Sequence, residues 1–153
     1  MQAMTRTILL LSATLFSAAP DLVAAERGTP AEAKAMLAKA VAHYKEVGRT
    51  QALADFNAKK EPFFDRDLYV FCLAPDHTQL ANGGYPSLVG RTADTVMDVA
   101  GKPMGKALWE AAAKGGGSVR YKWYNPVSTY MEKKTAYVQK AGDDLCGVGA
   151  YTP

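Results

Sequence analysis

Lys134, Tyr121 and Trp123 are the residues whose types and spacing best suit chemistry, and that chemistry is the capture of a small anion. They lie in three strand-like runs, residues 119–126, 133–138 and 145–151, joined by a short polar connection and a Gly-Asp-Asp turn. Side chains two apart share a face of a strand. Val119, Tyr121 and Trp123 therefore line one side of the first run, as candidate core or pocket wall, with Arg120, Lys122 and Tyr124 opposite. In the second run Lys134, Ala136 and Val138 share a face, with Lys133, Thr135 and Tyr137 on the other. One lysine is then a solvated edge residue, and its neighbour is pushed toward the aromatic wall. An ammonium beside tyrosine and tryptophan rings makes a receptor for a carboxylate. The alternative is that both lysines snorkel to water over an ordinary aromatic core.

Other chemistries find little footing. Asp65 and Asp67 flank Arg66, but a catalytic carboxylate pair needs a facing partner, and turn and cap duty suits both, as it does Asp76 and His77. Gly90 to Asp94 lacks the glycine pattern and lysine of a phosphate-binding loop. There is no CxxC or metal-ligand spacing, no Ser-His-Asp pattern and no cofactor fingerprint, so no catalytic residue, metal or cofactor is expected and the chain is read as a non-enzyme. Eighteen Lys and Arg against 15 Asp and Glu give a net charge of +3 without a basic block, which makes no case for nucleic acid.

The elements that must position Lys134 are legible in order. Residues 1–25 have the parts of a cleavable secretory signal: Arg6, the apolar run from Ile8 to Phe16, and Val23-Ala24-Ala25 as a small-residue cleavage site. The apolar run falls short of the roughly 20 residues a bilayer span needs. Residues 26–153 then form one domain, exported to the periplasm. Thr29, Pro30 and Glu32 announce a helix with a capping box, whose stripe is Leu37, Ala40, Val41, Tyr44 and Val47, ending at Gly48. A second helix follows from Thr50 as its cap to about Ala58. Residues 68–73 form a strand apolar on both faces, hence central, with Tyr69, Phe71 and Leu73 on one side and Val70 and Cys72 on the other; a turn at 74–77 returns it as a hairpin. A helix over 106–114, anchored by Trp109, stops at Gly115-Gly-Gly117.

Several segments, taken in series, resemble the single Cache domain, the extracytoplasmic sensory module of bacterial chemoreceptors and histidine kinases. They are Phe64-Asp-Arg-Asp-Leu-Tyr-Val-Phe71, Leu88-Val-Gly-Arg91, Gly101-Lys-Pro-Met-Gly105, Tyr121-Lys-Trp-Tyr-Asn-Pro126, Lys134-Thr-Ala-Tyr137 and Gly147-Val-Gly-Ala-Tyr151. The resemblance runs from Thr29 to Tyr151. It implies an α+β, PAS-like antiparallel sheet of five to six strands with the long N-terminal helix packed along it. The first and last strands of such a sheet are neighbours, so Cys72 and Cys146 are candidates for a cross-strand disulfide; two small buried hydrophobes that never touch is the other reading.

The resemblance also implies a pocket between sheet and lid for a short organic acid such as acetate, propionate or pyruvate. Lys134 would pair with the carboxylate, Tyr121 and Trp123 would shape the wall, and Tyr69 would join them from the first strand. Tyr137 would offer a hydroxyl, although its odd spacing from Lys134 sets it on the opposite face unless a bulge intervenes. Arg91 and Met97 would belong to the lid, with a solvent-exposed arginine as the alternative for Arg91. The partners expected are a small carboxylate, a membrane sensor protein and a second copy paired through the N-terminal helix. The chain stops after the last strand, which suggests a ligand-binding module without its own transducer; a soluble interaction partner with no small ligand is the alternative.

Overall fold

Thr29 and Glu32 close the predicted capping box: the Thr29 hydroxyl accepts from the Glu32 backbone N–H at 3.2 Å, and the Glu32 carboxylate accepts from the Thr29 N–H at 2.7 Å. The structure, a computed structural model, describes residues 27–152, so the expected leader over residues 1–25 lies outside the described residues. Helix α1 (Pro30–Val47) buries Ala33, Met36, Leu37, Ala40, Val41 and Tyr44. Val47 leaves the predicted stripe and is 37% exposed, because the chain turns away at Gly48 with φ +82°. Helix α2 (Arg49–Asn57) starts at once from Gly48, so Thr50 sits inside the first turn instead of capping it.

The six strands are β1 (Phe64–Asp65), β2 (Leu68–Leu73), β3 (Gln79–Asn82), β4 (Gly117–Tyr124), β5 (Met131–Ala141) and β6 (Asp144–Thr152), all paired antiparallel. Their order is β1-β2-β6-β5-β4, with β3 also on β2. β2 is therefore central and buried throughout, as its two apolar faces require. Alternation divides the sheet into two surfaces. One carries Val70, Cys72, Cys146, Val148 and Ala150 against α1 and α2; the other carries Phe71, Leu73, Val119, Tyr121, Ala136 and Leu145 beneath α3 (Met104–Ala113). Along the second surface the register sets Tyr121, Lys134 and Tyr151 side by side across β4, β5 and β6.

Cys72 and Cys146 face each other in the β2–β6 register and are bonded, on the α1 side of the sheet. Bridging residues 74 apart removes about 4 kcal/mol of denatured-chain entropy in the loop-closure treatment. Between β3 and β4 the chain is mostly irregular, with 3₁₀ turns at Pro86–Leu88 and Ala93–Thr95. Side-chain bonds hold this segment down: His77 Nδ1 meets Asp94 Oδ2 at 2.6 Å, and Asp94 Oδ1 accepts the Lys106 N–H at 3.1 Å in the first turn of α3. Trp109 anchors α3 by donating its indole N–H to the Ala74 carbonyl at 2.9 Å. Replacing both Cys72 and Cys146 by alanine should cost about 2 to 5 kcal/mol of unfolding free energy in denaturant titrations while preserving the fold; a variant as stable as the parent would show that the bridge adds nothing.

Candidate functional site

Of the two adjacent lysines, Lys133 is exposed and Lys134 is 2% exposed, so the alternation of β5 sends one ammonium to water and the other into the protein. Two glycines of β6 make this possible. A Cβ on Gly149 would lie 2.2 Å from Lys134 Cε, and one on Gly147 would lie 2.4 Å from Phe71 Cζ, so the lysine stem and the phenylalanine ring lie flat across bare backbone. Gly84 clears the same kind of space beside the Tyr69 ring, 2.5 Å from Cε1 to its would-be Cβ.

Lys134 Nζ donates to the Tyr69 hydroxyl at 2.7 Å and stands 4.0 Å from the Tyr69 ring centroid, 4.9 Å from Tyr151 and 5.6 Å from Phe71. Ring faces attract a cation but do not neutralise it. No carboxylate forms an ion pair with this ammonium among the described residues, and burial pulls its pKa down to about 7. Asp67 opposes that shift from farther off. Its own carboxylate is fully buried and accepts from Gly28 N–H at 2.6 Å and from Asn125 Nδ2 at 3.0 Å, a tie between the segment ahead of α1 and the β4–β5 turn.

The bonds beyond Lys134 run in one direction. Tyr151 donates to the Tyr124 carbonyl at 2.9 Å, so in the 3.0 Å contact between Tyr69 and Tyr151 the Tyr69 hydroxyl must donate, which leaves its oxygen to accept from Lys134. Tyr85, from the loop after β3, donates to the same Tyr124 carbonyl at 2.9 Å. Burial pushes the Tyr69, Tyr121 and Tyr151 pKa values up, so these hydroxyls stay protonated. Edge-on contacts of 6.1–6.2 Å link Tyr121 to Trp123, Trp123 to Tyr85 and Tyr85 to Tyr69 in an aromatic enclosure.

Within that enclosure lies a chamber of about 10 Å³, walled among others by Tyr69, Phe71, Tyr121, Trp123, Gln79 and Lys134. An outer cleft of about 290 Å³ adjoins it, between Leu88, Arg91, Ala93, Val96 and Met104. Gln79, Met104 and Trp123 border both. A larger groove of about 510 Å³ lies elsewhere, between α3 and the β4 edge, but it is an open surface where Lys102 already meets Glu110 at 2.5 Å, whereas the chamber holds a buried ammonium and is the candidate site. Among the described residues no group of three His, Cys, Asp or Glu is disposed to hold a metal ion.

Of the residues predicted from sequence, Lys134, Tyr121, Trp123 and Tyr69 come together at the chamber. Arg91 is exposed on the wall of the outer cleft, where its carbonyl accepts from Gln79 N–H. Met97 is 52% exposed and borders neither space; Val96 beside it faces the cleft. Tyr137 packs on the α1 surface, with the Lys34 ammonium 4.9 Å from its ring, because β5 has no bulge between the two positions. Sequence reasoning gave no role to Gln79, Tyr151, Met104 or the β6 glycines. Gln79 Oε1 accepts from Asn82 Nδ2 at 2.8 Å, and among the described residues its amide nitrogen has no protein acceptor. The pairing of Gln79 with Leu73 is the signal that could have found it, since Leu73 shares a face with Tyr69.

Three solved structures share the fold, each at an identity that speaks for the fold alone. A methyl-accepting chemotaxis protein from Vibrio parahaemolyticus is 22% identical at a TM-score of 0.66, with 79% of this chain and 86% of that one covered. The periplasmic sensor domain of a chemotaxis protein is 20% identical at 0.59, covering 78% and 88%. A Cache chemosensory domain, solved for the basis of its carboxylic acid recognition, is 22% identical at 0.56, covering 78% and 86%. No curated protein matches the sequence at a significant level. Among the described residues no helix is long and apolar enough to cross a membrane. The sequence matches the family described as Single Cache domain 2 over residues 4–150, and the chain belongs to that family of sensory domains.

Proposed function

We propose that this domain is a periplasmic receptor for a small organic acid, whose carboxylate pairs with Lys134 in the aromatic chamber and whose occupancy is read by a membrane sensor protein. One observation carries the reading. A fully buried ammonium with a single hydroxyl acceptor leaves N–H donors for an anion, and desolvating that charge with no counter-ion is costly unless something fills the role. The Cache domain named for carboxylic acid recognition lends support from the same fold.

Calorimetric titration with acetate, propionate, butyrate and pyruvate tests this. Lys134→Met keeps the stem over Gly149 and deletes the charge; it should weaken binding by about ten- to a hundredfold, the worth of a charge-assisted contact. The same change should stabilise the ligand-free protein, most below about pH 7, where the parent carries a buried charge, and progressively less as the pH rises from about 7 toward the ordinary lysine value. Parent-like affinity in this variant would remove Lys134 from the site. Gly149→Ala, by crowding Cε, should weaken binding without touching any ligand contact.

The pH dependence has a definite sign. The ligand-free lysine, with its pKa lowered to about 7, is neutral above that value, whereas the carboxylate complex holds it protonated. Binding above about pH 7 must therefore take up a proton, and affinity should fall by up to tenfold per pH unit as the pH rises toward about 9. Below about pH 7 it should be flat until the acid itself protonates. Titrations in buffers of different ionisation enthalpy count the proton, and a constant Kd from about pH 6 to 9 would contradict a neutral resting lysine.

A further inference from the structure

We infer that the ligand is an unbranched monocarboxylate with an apolar tail of several carbons, its head in the chamber and its tail in the outer cleft, and that Met104 is the gate that sets which tails pass. The inference rests on the carboxylate reading above and narrows its ligand class.

The volumes make the argument. The chamber, at about 10 Å³, has room for roughly one water. One carboxylate oxygen can replace such a water on Lys134 and the amide nitrogen of Gln79, but a carbon chain cannot also fit. The adjoining cleft of about 290 Å³ is open for the chain, and Leu88, Ala93, Val96 and Met104 give it apolar walls. Head and tail must pass between Gln79, Met104 and Trp123, the three side chains common to both spaces.

Two members of that partition are fixed. The Gln79 backbone N–H donates to Arg91 and its carbonyl accepts from Gly90, while its side chain is held by Asn82. Trp123 is wedged edge-on between Tyr121 and Tyr85. Met104 is different. Its backbone is pinned, N–H to the Val96 carbonyl at 2.7 Å, but its side chain is unbranched, apolar and free of directional bonds, so it is the member that can swing. It also stands at the first residue of α3, which Asp94 ties to the lid segment, so its position follows that of the lid. A narrow slot with one flexible wall passes a linear chain and rejects a branch next to the carboxyl group. Arg91, exposed on the cleft wall, draws anions toward the opening.

The experiment is calorimetric titration of the full chain with unbranched acids from acetate to octanoate, with 2-methylbutanoate as the branched probe and glutarate as the dicarboxylate, on the parent, Met104→Ala and Lys134→Met. Affinity of the parent should tighten by about fourfold per added methylene until the cleft is filled. The branched acid should bind the parent at least tenfold more weakly than its linear isomer, and Met104→Ala should remove that penalty. Affinity that is flat or falling beyond acetate, or a branching penalty that is absent or unchanged by Met104→Ala, overturns the inference. Glutarate binding more tightly than pentanoate would overturn the apolar tail in favour of a second anion on Arg91. The parent series needs no variant to fold, so it stands by itself. Should Lys134→Met abolish binding while the parent shows no length dependence, only the two-compartment inference fails; parent-like binding by Lys134→Met removes the carboxylate site and this inference together.

Discussion

The structure depends on keeping one ammonium out of water. Lys134 is enclosed with a single hydroxyl acceptor and aromatic faces, and the depression of its pKa to about 7 records what that confinement costs. Several other features follow as requirements. The β6 strand must be glycine at 147 and 149, because any side chain there would occupy the space of Phe71 or of the lysine stem. Glycine weakens a strand interior, so this stretch needs support from elsewhere. It comes from the opposite face, where Cys146 and Val148 alternate with those glycines and meet the disulfide and the α1 stripe. The strand is thus bare on the side that receives Lys134 and Phe71 and densely packed on the side that faces α1.

That division extends to the whole domain. The chamber floor is made of paired strands whose register fixes Tyr121, Lys134 and Tyr151 in a row. The roof is irregular chain between β3 and α3, held by local turns, by isolated bridges such as Thr78 with Thr92 and Met97 with Pro103, and by side-chain bonds such as His77 with Asp94. A ladder of paired strands opens as one cooperative unit, whereas turns and single bridges can open locally, and binding motions concentrate where local opening is easiest. The difference in construction separates the charge, which strand register fixes, from the partition, which the proposed receptor needs to move.

Alternation made the floor readable from sequence. It separated Lys133 from Lys134 and grouped Tyr121 with Trp123, and it had already set Tyr137 on the opposite surface, where the structure has it; that residue entered the ligand set only by resemblance. The roof was not readable in the same way. Met97 and Val96 sit beyond a 3₁₀ turn, where no period of two or of 3.6 links sequence spacing to facing direction. Gln79 escaped notice because a glutamine in a short return strand looks solvated, and only its pairing opposite Leu73 turns it inward. The glycines were visible as a motif, yet what they make room for depends on neighbours in other strands. Cysteine pairing needed a register that spacing cannot supply.

Floor and roof nevertheless meet at one atom. The hydrogen-bond chain from Lys134 through Tyr69 and Tyr151 ends on the Tyr124 carbonyl, and Tyr85 of the loop after β3 donates to that same oxygen. Tyr85 is in turn held at its backbone by Asn82, whose side chain fixes Gln79 at the chamber wall. The loop and the lysine are therefore not positioned independently. A change in where the ammonium points, or in what it donates to, alters the acceptor load on Tyr69 and so the bond that Tyr151 makes at Tyr124. Because Tyr124 closes β4 just before the turn to β5, the shared carbonyl lies where the pocket gives way to the surface of the hairpin. The geometry thus connects the buried ammonium to the end of the sheet through oriented hydroxyls alone, the route by which, in the proposed receptor, the state of the chamber would reach the outside of the domain.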